Sequence, residues 1–315
     1  VNSIAQLIKL QDYVSRYEWD VYRYPTQYIR VKKDNWNKLY RIWSEPPMPE
    51  DNNIEEYETD DTSKVKKVFT KFKSLVKKEQ IEEDIDVPKE NILPETEQEL
   101  KQYFLNKIFN FQLKWATSTI TEISYVDQKY YQDRLLKYFL QRLPDTYLLM
   151  YYPVFNIKKA PVDGEIILIT PIGIEIIYFI EKEPGAVIMA GDERAWTIES
   201  AYEQSRMLSP VIALKRTEKI IKSILQKHTI DFPIKKTVLS RTNNIIFNTE
   251  PYQINLIGKQ KYNEWFHHKR ILSSPLKSRQ LKAADALLGQ CYSNFVKRPE
   301  WEDDISLHSI GDMEE

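Results

Sequence analysis

Apolar positions change their period several times along this chain, and each change marks an element. Leu100, Phe104, Ile108 and Phe111 recur at helical spacing, and so do Leu135, Leu136, Phe139, Leu140 and Leu143. The pattern predicts one helix from about residue 96 and another over about 130–143. Thr96 with Glu99 makes a capping box at the start of the first. Runs rich in β-branched and aromatic residues then predict strands near 147–157, 165–169, 174–180 and 186–190. The middle two read as a hairpin turning at Pro171–Gly173. Ser209-Pro210 is a helix start, with serine capping and proline at the first helical position. That helix runs to about Lys227 through Val211, Leu214, Ile221, Ile224 and Leu225. Strands near 237–247 and 252–257 follow, and Ser274-Pro275 opens a last helix through Leu281, Leu287 and Leu288. Helix, strand, hairpin, strand, helix, strand in this order predicts an α/β core with a mixed sheet.

Outside that core the pattern changes character. Residues 1–44 read as a helical arm rich in aromatics, among them Tyr13, Tyr17, Trp19, Trp36, Tyr40 and Trp43, with Pro25 breaking it. Such rings serve either as a stacking platform for bases or as a docking face for the main domain. Glu18 and Asp20 interleave and repel phosphate, which favours docking. Residues 45–95 form a charged linker, too acidic and proline-rich at its start to order itself. Within it, 63–78 places Val65, Phe69, Phe72 and Val76 on one helical face and lysines on the other. This basic amphipathic helix suits docking on its own chain, or an anionic lipid, nucleic acid or protein groove. Residues 293–315 make an acidic tail.

Composition narrows the classes. With 315 residues, 42% of them hydrophobic, there is material for one substantial core and a smaller helical unit. Lys and Arg number 45 against 46 Asp and Glu, so charge is informative only segment by segment. Seven glycines argue against a glycine-rich nucleotide site. The single cysteine, Cys291, excludes a disulfide or zinc knuckle within one chain and reads as core filler. Lys9, Gln11 and Asp12 interrupt any signal-peptide pattern, and Thr170, Pro171, Gly173 and Glu175 punctuate the longest apolar run. No transmembrane segment and a cytoplasmic location are expected.

The candidate chemistry lies at the hairpin. Asp163 and Glu165 are two residues apart, which on one strand puts both on one face. Carboxylates so paired share a Mg²⁺ in metal-dependent phosphodiesterases. Other candidates are poor. His267 and His268 are adjacent and diverge by about 100° in a helix, while His228 and His308 are isolated. No nucleophile elbow, phosphate loop or dinucleotide fingerprint is present.

Four segments within 130–257 resemble the nuclease-related domain, NERD, a branch of the restriction-endonuclease-like PD-(D/E)xK fold. QDRLLKYFLQRLP (132–144) is similar to the family's opening helix. DGEIILITPIGIEII (163–177) is similar to its Glu-x-Asp strand, Pro-x-Gly turn and next strand. GAVIMAGDERAWT (185–197) and SPVIALKRTEKI (209–220) are similar to the strand with its tryptophan and to the Asn-Pro-x-x-Gln helix start. The resemblance implies a NERD-like α/β domain over 96–292, with a mixed central sheet flanked by helices.

The catalytic positions depart from the family. Asp133 stands for the first-helix Glu, and Asp163 and Glu165 for Glu-x-Asp. The family's Glu-x-Lys aligns with Tyr178-Phe179-Ile180, and its helix Gln with Ala213. The resemblance therefore implies a domain without nuclease chemistry and without a cofactor. Asp133, Asp163 and Glu165 would be vestiges, Asp163 and Glu165 the remaining metal pair, and Lys215, Arg216, Lys219 and Lys222 a nucleic-acid contact. Two alternatives stand beside it. One is an active Mg²⁺-dependent nuclease using Glu181 and Lys182 as displaced partners, which requires the second strand to extend for Lys182 and a bulge to turn Glu181 to the site. The other is a scaffold for a protein partner.

Overall fold

Residues 4–44 and 93–299 are described, without 159, 192, 193, 202 and 273, in a computed structural model of the chain. The basic helix expected at 63–78, most of the linker and most of the acidic tail lie outside them. The helical reading of 1–44 is corrected at its start. Gln6–Leu10 is a strand, β1, buried along its whole length. Gln6 and Lys9 break its apolar run, and both are satisfied internally. The Gln6 amide donates to the Asp145 carbonyl oxygen at 2.7 Å and accepts from the Tyr17 hydroxyl at 3.2 Å. The Lys9 ammonium pairs with Glu18 and donates to Tyr13 O and Ser293 Oγ, each at 2.7 Å. A lysine is tolerated so deep only because it is paired.

Helices α1 (Arg16–Trp19) and α2 (Tyr24–Ser44) follow, then α3 (Glu97–Trp115). Pro25 begins α2 rather than breaking a helix, since its missing N–H falls among donors that have no helical acceptor. The chain divides into two compact units, Gln27–Phe111 and the remainder. In the first, the Trp36 ring lies 5.3 Å from Phe104, and Trp43 Nε1 donates to Pro94 O at 2.7 Å. Thr96 and Glu99 form the expected capping box: Glu99 N donates to Thr96 Oγ1 and Thr96 N to Glu99 Oε2, each at 3.2 Å.

The second unit holds the mixed sheet. After β2 (Glu122–Ile123), a 3₁₀ turn (Gln128–Gln132) and α4 (Arg134–Arg142) come β3 (Leu148–Tyr151), β4 (Val154–Ile157), β5 (Ala160–Asp163), β6 (Ile166–Thr170) and β7 (Gly173–Phe179). Then β8 (Val187–Ala190), β9 (Ala195–Glu199) and β10 (Gln204–Leu208) lead to α5 (Pro210–Lys227). The chain continues with β11 (Ile234–Leu239), β12 (Asn244–Phe247), β13 (Ile254–Ile257), α6 (Lys259–Ile271), α7 (Ser278–Leu288) and β14 (Val296–Lys297).

The central order is β1-β3-β6-β7-β11-β13. β3, β6 and β7 are antiparallel neighbours, whereas β1 runs parallel to β3 and β11 parallel to both β7 and β13. A second sheet, β10-β9-β8-β12, grows from the segments after β7 and β11. The hairpin turns where expected. The Thr170 hydroxyl donates to Gly173 O at 2.8 Å, and a Cβ on Gly173 would stand 2.9 Å from Pro233 O, so only glycine fits.

Alternation along β7 and β11 assigns the faces. Lys236 points to α5, where it pairs with Glu218. Glu175 and Thr237 point to the other face, where Trp265 of α6 donates to Glu175 and Phe139 of α4 meets Phe179. The result is a mixed α/β sheet flanked by helices on both faces. Among the described residues no helix is long and apolar enough to cross a membrane. Cys291 is held against Leu287 O at 3.4 Å, and burial pushes its thiol up to about 12, so it stays protonated.

Candidate functional site

The positions singled out by the resemblance fall in the second unit. Glu165 immediately precedes β6 and is buried. Its N–H donates to Thr217 Oγ1 of α5 at 3.2 Å, which ties the start of the hairpin to the helix. Asp163 ends β5, where it is paired with Val154 of β4, and is exposed. The strand thus stops between the two acids, and the parity argument, which assumed one continuous strand, does not apply to them. Gly164 makes the break possible. A Cβ there would stand 2.9 Å from the Phe155 ring and 3.1 Å from Pro153 O.

Burial holds the Glu165 carboxyl above its ordinary value. The Arg216 guanidinium, 3.8 Å away, opposes this, and the Asp163 charge adds to it. Tyr178 of β7 and Tyr152 lie in the same field: burial first, and the Glu165 charge second, raise both phenols. Tyr152 reaches this place through a left-handed backbone, φ 48°, between β3 and β4. Nothing in the sequence announces that turn. The helical phase of Arg216 was legible; its ion pair with Glu165 was not.

Asp133 is corrected in role. It is the N-cap of α4, not an acid within a longer helix. Its Oδ1 accepts from Leu135 N at 2.8 Å and Leu136 N at 2.9 Å, and its Oδ2 accepts from the Tyr151 hydroxyl at 2.9 Å. Both oxygens are therefore committed. Ile180, aligned with the family's lysine, is buried and donates its N–H to Leu239 O at 2.9 Å.

The displaced partners are also accounted for. β7 ends at Phe179, so the extension that Lys182 needs is not formed. Lys182 is exposed, with its N–H on Asn243 Oδ1 at 2.8 Å. Arg241 grips Glu181 with two bonds, of 2.7 and 2.8 Å. On α5, Lys222 pairs with Glu218 at 2.9 Å and, with Lys236, lines a cavity of about 600 Å³. Lys215 and Lys219 are exposed.

A divalent metal does not fit this donor set. Asp133 is spent on capping, Glu165 is buried with the Arg216 guanidinium 3.8 Å away, Asp163 is exposed at the end of β5, and Tyr178 offers a phenol rather than a carboxylate. Among the described residues no group of three or more His, Cys, Asp or Glu is placed to hold an ion.

The raised Glu165 pKa has a testable sign. The folded state takes up this proton more readily than the unfolded chain, so this group's contribution to stability is fully present below the ordinary carboxylate range. It declines as pH rises from that range through the folded value. Glu165→Gln removes the cost. Thermal melts should show the variant more stable than the parent at about pH 8 and equal to it at about pH 3.5. Equal melting temperatures at both would disprove the burial argument.

No family model matches this chain, and no solved structure matches it. A segment of 40 residues is 48% identical to a Geobacillus stearothermophilus protein described as an RNA 2',3'-cyclic phosphodiesterase. The match spans 13% of this chain and 13% of that relative, so it shows similarity over one short segment.

Proposed function

We propose that the chain is a NERD-like domain that binds nucleic acid without cleaving it. One observation carries the reading. Where the resemblance requires an acid and a lysine, the hairpin presents Tyr178 and a buried Ile180, and of the other carboxylates Asp133 is a helix cap and Glu165 has Arg216 beside it. The succession α4, β3, the β6–β7 hairpin, α5 and β11 supports the restriction-endonuclease-like assignment. Loss of one group that stabilises developing charge typically costs about 10²–10³ in rate, and here two are replaced.

Purified protein should therefore bind oligonucleotides in a salt-dependent way and leave them intact. Single- and double-stranded DNA and RNA, with Mg²⁺ or Mn²⁺, are the substrates to use. RNA belongs in the panel because the short match is to a protein described as an RNA phosphodiesterase. Turnover abolished by Glu165→Ala would overturn the reading and point to an active nuclease. Absence of binding to any oligonucleotide would leave the protein-scaffold alternative.

A further inference from the structure

The sheet face opposite Glu165 and Tyr178 carries an aromatic and arginine cluster that the nuclease-like site does not use. Phe179 follows Tyr178 in β7 and so points to this other face, where α4 and α6 pack. Tyr262 and Phe266, one turn apart on α6, have nearly parallel rings, 12° between planes and 5.8 Å between centroids. The Tyr138 ring of α4 lies 5.8 Å from Phe266. All three are half-buried, and the Tyr262 hydroxyl is turned inward.

Three guanidiniums rim them. Arg142 and Arg241 sit over the Tyr138 ring at 5.1 and 4.5 Å, and Arg270 lies 5.7 Å from the Phe266 ring. Arg241 is neutralised by Glu181. Arg142 and Arg270 are exposed and have no carboxylate partner among the described residues. Flat rings beside two unmatched, planar cations form a surface with two separate recognition elements.

We propose that this face binds single-stranded nucleic acid, with bases on Tyr138, Tyr262 and Phe266 and phosphates on Arg142 and Arg270. A duplex hides its base faces, whereas an unpaired strand offers a ring and a phosphate at every nucleotide. An acidic peptide would use the arginines and leave the rings idle. The inference rests on the reading that this chain binds nucleic acid, and it places the contact on α4 and α6 rather than on the α5 lysines. There Lys222 and Arg216 already face carboxylates.

Fluorescence anisotropy with labelled oligo-dT and oligo-U, on the full chain, tests it. Arg142→Gln with Arg270→Gln, both at exposed positions, should weaken binding about tenfold or more. It should also lower the salt slope by about 1.4, for two phosphate contacts. Circular dichroism and melting should match the parent. An abasic phosphodiester chain of equal length should bind the parent about tenfold less tightly, because stacking is lost.

Parent-like affinity in the folded arginine variant would overturn the inference. Equal affinity for the abasic chain would do so as well, by showing a surface for any polyanion. Binding lost only in Lys215→Gln with Lys219→Gln would overturn it while leaving the nucleic-acid reading intact. No binding by the parent would overturn both.

Discussion

Glu175→Ala should destabilise the second unit by about 3–5 kcal/mol, lowering its melting temperature by ~10 °C. Glu175 is 3% exposed, deep in β7. Its Oε1 accepts from Thr237 Oγ1 at 2.6 Å and Trp265 Nε1 at 3.1 Å, and the Lys269 ammonium closes on its other oxygen. One carboxylate thus links β7, β11 and α6. Removing it strands a largely buried ammonium and two donors, and each unmet group costs its full desolvation. Replacing both charged ends, Glu175→Leu with Lys269→Met, should cost less than the single change, because no charge is then left uncompensated. Differential scanning calorimetry on the two variants decides the matter. A double variant less stable than Glu175→Ala alone would show that the pair contributes through packing rather than charge balance. Because α6 carries Tyr262 and Phe266, Glu175→Ala should also weaken the aromatic face, with no change at Glu165.

How much of this was legible follows from where each signal is stored. The β6–β7 hairpin was legible because its strands are apolar and a Pro-Ile-Gly turn separates them. The turn demands a glycine at 173 for a steric reason that is local. Helix α5 was legible from Ser209-Pro210: Ser209 Oγ accepts from Val211 N at 3.3 Å, as a serine cap should. β1 was not legible, because Gln6 and Lys9 look like surface residues until Glu18, Tyr17 and Ser293 are brought to them. Helix α6 was missed as an element because only Trp265 is buried in a polar segment. Glu175 looks in the sequence like a mere interruption of an apolar run, because its partners on β11 and α6 lie 62 and 90 residues away. At the candidate site, residue types were legible and partners were not. Asp133 has the spacing of a catalytic acid and the geometry of a helix cap.

The second large effect is a gain of metal binding at the hairpin. Ile166 lies opposite Ile177, and the ladder carried one step further sets Glu165 across from Tyr178. Tyr178→Glu therefore puts two carboxylates side by side on the α5 face, as the resemblance to NERD requires. Without a cation they repel, and one of them must hold a proton at neutral pH. The variant should melt below the parent in chelator. Mn²⁺ at about 100 times its dissociation constant should then restore about 2.7 kcal/mol, or roughly 5–10 °C, while leaving the parent unmoved. Ile180→Lys alone is a different matter. Ile180 is 5% exposed, so an ammonium there has lost its water and gained no partner, and it should cost several kcal/mol. Combined with Tyr178→Glu the lysine has a carboxylate two residues away on the same side of the chain, and part of that cost should be recovered. A double variant more stable than the lysine variant, with Mn²⁺ raising its melting temperature further, is the expected result. If Tyr178→Glu folds and its melting temperature ignores Mn²⁺, the register that aligns β7 with the family's second strand is wrong. The nuclease-like reading of the hairpin then goes with it.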